Sequence, residues 1–446
     1  MKKKVVILGA GITGLVSAYY LSEDYDVVVI EKGKSVGGSA AGFKYKDFIM
    51  DYGPHKIYSE LPGIMDEIEK VVELNKIKKK NSIYLEGNYF EFPLKIQQIM
   101  KKMPSKAFKA GWDMFAKSIS KKPDDSYENY LINRFGKTMY NLSFRDYAEK
   151  VWGSNPKELD KELAKRRVAI TGMLDLIKGI LFKDTKNISA DYFYYPPKGI
   201  KQLIDNIVDK IKKNGGRILT NENISEIKIE NNMVKDIKIK NGIIKMDYMI
   251  STIPLDEFVK YINADEEVLD AASKLRYQKL NILYFILNKP RAMEDSWRFY
   301  PEKKLIFQRV SEMKSFSQDV GPEDKTVLMV ETIKDVNKEL VKKIIEQLEE
   351  VGLIKENEIE EYFLKSYDKS YPVYTKGFKE HLSKILEYIE KYENFYSTGR
   401  PGLFNYNNMD QCWDMAMKTA EHIKEDKSRE DWQETKTYFD KYRIVD

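Results

Sequence analysis

Three glycines near the N-terminus, Gly9, Gly11 and Gly14, follow the spacing G-x-G-x-x-G. At the first such position the chain can turn tightly. At the second the backbone can approach a pyrophosphate, and at the third a helix can pack closely on a strand, its free N–H groups facing the phosphates. Glu31 stands 17 positions after Gly14; a carboxylate there suits a ribose hydroxyl pair and repels a 2′-phosphate. Gly37-Gly38 offers a second place of close approach. The chemistry these residues imply is the holding of a dinucleotide, against the plain alternative of a glycine turn with no ligand.

The surrounding pattern supplies the elements such a turn needs. Val5 to Leu8 is a short apolar run suited to a strand buried on both faces, followed by a helix to about Ser22 and a second strand over Val27 to Ile30. Ser82 to Phe92 alternates around Glu86-Gly87-Asn88, a hairpin signal. Lysine-bearing helical stretches run from there to Ile180, and Phe182 to Ala190 reads as a polar connector. A helix over Ile200 to Lys213, two alternating strands flanking Gly242, and a buried strand over Tyr248 to Ile253 follow. Residues 275–335 predict an antiparallel sheet, with helices near 337–351 and 376–391. Phe395 to Arg400 then leads through a turn into a helix reaching Ile423.

The expected fold class is therefore α/β: a Rossmann-type domain interleaved with a helical region and an antiparallel-sheet substrate domain. Residues 1–80, 192–262 and 393–430 make the discontinuous dinucleotide domain. Residues 81–191 form a mainly helical cap, 263–392 the sheet domain, and 431–446 a charged tail.

Composition narrows the function. Of 446 residues, 42% are hydrophobic and 33% charged, and 75 basic against 70 acidic side chains leave only +5, so nucleic acid is not an expected partner. Cys412 is the sole cysteine, which excludes an intrachain disulfide and a cysteine-based zinc site; three scattered histidines argue against a histidine-rich metal site, and no metal is expected. The N-terminus lacks a signal-peptide pattern, and no apolar run reaches the roughly 18 residues of a spanning helix. No transmembrane segment and a cytoplasmic location are expected. The lysine-bearing helices between 94 and 122 and the segment Met173 to Phe182 have two readings: peripheral membrane contact, or solvated helix faces.

The glycine turn with Glu31 and the Gly37-Gly38 loop resembles the FAD-binding superfamily that includes amine oxidases, protoporphyrinogen oxidases and UDP-galactopyranose mutases. Gly216 to Ile224 and Ile250 to Pro254 look like that superfamily's second contribution to its FAD domain. Other blocks are similar to the mutase branch: Tyr52-Gly53-Pro54-His55, Phe92-Pro93-Leu94, Tyr147 to Gly153 with Arg166-Arg167-Val168, Tyr195 to Gly199, Tyr300-Pro301 with Arg309, Tyr371-Pro372, and Gly399-Arg400 through Tyr406 to Asp410. They run in order over roughly residues 4–423. Ser39 stands where the oxidases commonly carry arginine.

That resemblance implies FAD, active when reduced, held by Gly9, Gly11, Thr13, Gly14, Glu31, Lys32, Gly37, Gly38, Ser39, the backbone at Ile224, and Gly399, Arg400, Asn408 and Met409. It implies exchange of a nucleotide-diphosphate sugar between pyranose and furanose rings, with flavin N5 as nucleophile at the anomeric carbon. His55, Arg309 and Arg400 would be catalytic, and Arg167, Tyr371 and Tyr406 would bind the diphosphate, for which bidentate arginines suit better than lysines. Arg166 is the alternative to Arg167 if the register slips by one. An external flavin reductant is implied, and the mutase relatives are often homo-oligomers.

Each residue also has a plain reading: surface arginine, core tyrosine, structural histidine, or, for Trp152, a core anchor in place of a base-stacking ring. Phe299, Ala190 and Asn408 depart from mutase positions occupied by tyrosine, asparagine and aspartate, which bears on sugar specificity. The competing function is a FAD-dependent oxidase or dehydrogenase of the protoporphyrinogen or amine oxidase type, whose pocket would be apolar or caged by aromatics. A FAD-holding protein without turnover is the third.

Overall fold

The computed structural model describes residues 1–119, 123–167 and 191–444. A five-stranded parallel sheet runs in the order Phe395–Ser397, Tyr248–Ser251, Lys4–Leu8, Asp26–Ile30, Arg217–Leu219. Val5 to Leu8 and Val27 to Ile30 in its central strands are fully buried, as a sheet covered on both faces demands. The helix Ile12–Leu21 lies against the helices Gly199–Lys213 and Met409–Lys424. The chain leaves Lys4–Leu8 toward one neighbour and later returns to its other side, so a crevice opens at the carboxyl ends of the strands.

The second layer is a seven-stranded sheet ordered Ile359–Val373, Arg276–Leu287, Thr326–Thr332, Arg309–Glu312, Trp297–Phe299, Asn81–Leu85, Asn88–Glu91. The last two strands form the hairpin expected around Glu86-Gly87-Asn88. They join this sheet through a parallel pairing of Asn81–Leu85 with Trp297–Phe299, so part of the region read as a helical cap is sheet. The helices Tyr127–Tyr140, Asp146–Trp152 and Lys161–Arg167 pack nearby, with Trp152 1% exposed.

Three expectations are corrected. The sequence pattern predicts two strands flanking Gly242, and a third joins them in a meander: Ile224–Glu230, Met233–Ile239 and Gly242–Lys245. The extra hairpin turns at Asn231 and Asn232, both with positive φ (52° and 57°), a conformation asparagine tolerates. The 15-residue strand Ile359–Val373 has no counterpart in the sequence expectation, which ends the sheet near residue 335. Its half-buried face alternates Glu361, Phe363, Lys365, Tyr367, Lys369, Tyr371, so hydrophobicity repeats every four residues and hides the period of two. The expected charged tail begins with a helix, Arg429–Phe439, whose Trp432 and Phe439 are 1% and 0% exposed. These lie seven apart, one helix face, within a stretch whose charge density masked them. The connector 182–190, Ala190 included, and the segment Met173 to Phe182 lie outside the described residues.

Candidate functional site

The loops after the parallel strands converge on one cavity of about 550 Å³, within the ~300–1,000 Å³ usual for cofactor and substrate sites. Gly9 and Gly11 follow Leu8, Glu31 follows Ile30, Glu222 and Ile224 follow Leu219, Thr252 to Pro254 follow Ser251, and Arg400 follows Ser397 by three. From the large sheet come Arg309, Glu331, Tyr367 and Tyr371.

At one end the backbone forms a cradle. Gly9 takes φ +93°, and a β-carbon on Gly14 would lie 2.0 Å from the Gly9 carbonyl oxygen, so Gly14 is a packing glycine that does not itself face the cavity. Gly11 differs: a β-carbon there meets nothing within 4 Å. Gly37 donates its N–H to the Ala10 carbonyl at 2.7 Å, and the Gly38 carbonyl accepts from the Tyr367 hydroxyl at 2.6 Å. The Glu31 carboxylate accepts from the N–H of Ala10 at 2.8 Å and of Gly33 at 2.6 Å. It thus braces the glycine turn while each oxygen keeps a further lone pair for a ribose hydroxyl.

The remaining cradle residues divide. Thr13, Lys32, Gly37, Gly38, Ser39, Ile224, Asn408 and Met409 line the cavity; Gly399 does not. A β-carbon on Gly399 would sit 2.8 Å from the Thr13 hydroxyl, so it serves close packing on the helix Ile12–Leu21. Lys32 reaches Glu257 at 3.5 Å. Asn408 caps the 16-residue helix Met409–Lys424 in a capping box with Gln411, and the helix begins at the cavity wall, where Asn408 and Met409 line it. Cys412 also lines it, but burial pushes its thiol pKa up, away from nucleophilic use.

The other end is cationic and aromatic. Arg400 donates from Nε and Nη2 to the Asn407 carbonyl at 3.1 and 2.6 Å and from Nη1 to the Ser370 carbonyl at 3.3 Å. Its guanidinium lies 5.0 Å from the Tyr371 ring centre. No carboxylate among the described residues pairs with it, so its charge is held by neutral dipoles and remains available to an anion. Arg309 is placed otherwise. Its Nε and Nη2 make a bidentate pair with Glu331 at 2.8 and 2.9 Å. Burial opposes the Arg309 charge, and the Glu331 carboxylate overcomes this to leave the pKa raised. Arg309 therefore faces the cavity already neutralised, weaker for a diphosphate than the resemblance implied.

Arg167 Nη1 donates to the Tyr406 hydroxyl at 2.6 Å, and both line the cavity. Arg166 turns away to Asn405 and to Asp440, whose carbonyl it meets at 3.1 Å. Of the two, Arg167 lines the cavity and Arg166 does not. Trp152 packs on Tyr371 and Tyr406, with ring centres at 6.1 and 5.4 Å, as a core anchor that does not line the cavity. Phe299 does line it, edge-on to Tyr147.

His55 faces the cavity near these arginines. Burial, then the charges of Arg400 and Arg309, push its imidazole down to about 3. In the apoprotein the ring is therefore expected to stay neutral down to about pH 5 in an NMR titration of ring-labelled protein. A titration midpoint near the ordinary value of about 6.5 would show a solvated ring far from those charges.

Several cavity residues were not singled out from sequence. Tyr367 and Lys369 lie on the unread strand, Lys369 pairing with Asp256 at 2.6 Å and Glu257 at 3.0 Å. Glu222, 6% exposed, donates its N–H to the Glu31 carbonyl at 3.0 Å, yet its Oε2 has no partner. The usable signal was position: an acid just past the carboxyl end of a parallel strand. His55 Nδ1 is likewise buried without a partner. Two orphaned polar atoms in one cavity, Glu222 beside Glu31 and His55 beside the arginines, together with the open space over Gly11, fit an elongated polar cofactor such as FAD.

Fold and cavity together fit a dinucleotide-binding protein whose parallel sheet is joined to a large mixed sheet. The chain belongs to the flavin-containing amine oxidoreductase family, whose profile matches residues 12–423. A reduced UDP-galactopyranose mutase structure superposes with a TM-score of 0.82 at 21% identity, covering 95% of each chain. A Klebsiella pneumoniae protein described as "Probable UDP-galactopyranose mutase" is 27% identical over 37% of this chain and 44% of its own length. The coproporphyrinogen III oxidase of Staphylococcus aureus is 23% identical over 59% of this chain and 63% of its own length. The alignments thus span less than two thirds of both relatives. Among the described residues no helix is long and apolar enough to cross a membrane, and no three His, Cys, Asp or Glu side chains group to hold a metal.

Proposed function

We propose that the protein is a FAD-dependent mutase that interconverts the pyranose and furanose forms of a nucleoside diphosphate sugar. The observation that carries this reading is the Arg400 guanidinium, which among the described residues donates to carbonyls and pairs with no carboxylate, set beside Tyr371 within the cavity that also holds the dinucleotide cradle. An apolar substrate would leave that cation unmatched.

Bound and reduced, FAD would supply the nucleophile for the anomeric carbon. Arg400 would take up the charge of the departing diphosphate, with the Tyr371 hydroxyl beside it. Tyr406 accepts from Arg167, which strengthens its own hydroxyl as a donor to phosphate oxygen. His55, held neutral, would stand by the flavin as a hydrogen-bonding group without adding positive charge. Asn408, Met409 and the helix they begin would favour an anionic flavin. An outside reductant is required, since ring exchange has no net redox change and supplies no electrons to reduce the flavin.

The likeness to a coproporphyrinogen oxidase supports a second reading, FAD-dependent oxidation. One experiment separates them. The flavoprotein is reduced with dithionite without air and given UDP- and TDP-linked pyranoses and furanoses, with the oxidised protein as control. Ring isomerisation only in the reduced sample is the expected result. Oxygen uptake with a porphyrinogen or amine, and no nucleotide binding, would replace the mutase reading with the oxidase.

A further inference from the structure

The helix Pro104–Ile119 presents two apolar faces. One packs on the helices Ile96–Lys102 and Tyr127–Tyr140, with Ala110 buried and Asp113 accepting the Thr138 N–H at 2.6 Å. The other carries Phe108, Trp112 and Phe115, spaced four and three apart on one side of the helix. They are 80%, 64% and 61% exposed, and Met100 on the preceding helix is 59% exposed. Among the described residues, eight large hydrophobic side chains besides Met1 are exposed, and these four fall within residues 100–115. Scattered exposure needs no explanation, whereas a contiguous aromatic stripe marks a surface that meets something.

Charge identifies what it meets. Residues 94–122 hold eight lysines and one aspartate, a net +7, in a chain of +5, so everything else sums to −2. Lys101 and Lys109 are exposed and pair with no carboxylate among the described residues. Lys95 and Lys106 pair with Glu91 and Glu86, but an isologous contact with a second copy would still set the exposed Lys101 and Lys109 near like charges, which disfavours self-association. Tryptophan and phenylalanine beside lysine on a helix packed to the protein on its opposite side suit an anionic lipid surface. The rings enter the headgroup layer, and the ammonium groups meet lipid phosphates.

We infer that this helix is a membrane-docking element that seats the protein on anionic bilayers by inserting Phe108, Trp112 and Phe115 into the headgroup region. The inference does not rest on the proposed reaction, and a mutase or an oxidase could dock alike.

The test uses the full-length flavoprotein with sedimenting vesicles of phosphatidylcholine alone or with about 30% phosphatidylglycerol. At ~0.1 M salt, binding at least tenfold tighter to the anionic vesicles is expected, with loss of most binding at ~0.5 M salt. The variant F108S/W112S/F115S is expected to lose at least tenfold in vesicle affinity while keeping its flavin. K101E/K109E should weaken binding by a similar factor with the stripe intact, which keeps the test decisive if the first variant folds poorly. Equal binding to neutral and anionic vesicles, or no binding to either, overturns the inference. A dimer that the stripe variant dissolves, with the parent indifferent to lipid, would assign the face to a second copy instead.

Discussion

Replacing Arg400 by alanine is expected to lower kcat/KM for the nucleotide sugar by roughly 10²–10³, the loss of about 3–4 kcal/mol of transition-state stabilisation. The magnitude follows from placement. Arg400 is half-buried, fixed by the Asn407 and Ser370 carbonyls, and pairs with no carboxylate among the described residues, so in the proposed reaction a departing diphosphate would be the partner its charge lacks. Lysine there should restore only part of the activity, since one ammonium cannot hold both carbonyls and grip a phosphate bidentately. Arg309→Ala should cost turnover less directly, because Glu331 already neutralises Arg309. Flavin content and melting temperature, measured beside the kinetics, separate the causes. An R400A variant with full flavin and turnover within threefold of the parent would remove Arg400 from the chemistry. A variant that loses flavin together with turnover would assign Arg400 to the cofactor.

Two glycines of one motif should fail in opposite ways. Gly11 has φ −70° and ψ 175°, values open to any residue, and a β-carbon there meets nothing within 4 Å. Gly11→Val is therefore expected to fold, with an apoprotein melting temperature within about 2 °C of the parent apoprotein. Its side chain enters the space over the cradle, so the protein should purify colourless with FAD affinity reduced at least ~100-fold. Gly14→Ala places a β-carbon 2.0 Å from the Gly9 carbonyl, so the helix Ile12–Leu21 must shift against the sheet. Destabilisation by about 3 kcal/mol or more is expected, read as a fall in the apoprotein melting temperature. A yellow Gly11→Val protein with parental FAD affinity would mean that the cofactor does not cross this turn.

The contrast within that motif shows how much of the site was legible beforehand. Spacing alone named the glycines, because a pyrophosphate cradle constrains consecutive residues of one turn. The motif also divides them into turn, ligand-facing and packing positions; it does not give how closely each meets its neighbours, a matter of where the strands lie. The Arg166–Arg167 ambiguity was less local. Adjacent arginines on a helix point about 100° apart, and only the position of Asn405 and Asp440 on one side and Tyr406 on the other separates their roles.

Arg309 and the strand Ile359–Val373 were hidden more deeply. Glu331 follows Arg309 by 22 residues and becomes its partner through the pairing of two antiparallel strands, a register that no local pattern encodes. Tyr367 and Lys369 sit on a strand whose cavity-side face alternates ring and charge, which erased its hydrophobic period. The aromatic stripe of Pro104–Ile119 was visible as residue types among lysines, but exposure depends on which face of the helix its neighbours cover.

By itself the sequence determined the parallel sheet, the glycine cradle and the order of the cavity's loops, because these are written in contiguous runs whose local geometry is nearly obligatory. Only the tertiary structure decided which arginine is neutralised, which tyrosines reach the cavity, that the end of the chain packs as a helix, and which aromatic face stays in water. Each of those depends on contacts between residues distant in the chain, where burial and partner charge, not residue type, set what a side chain can do.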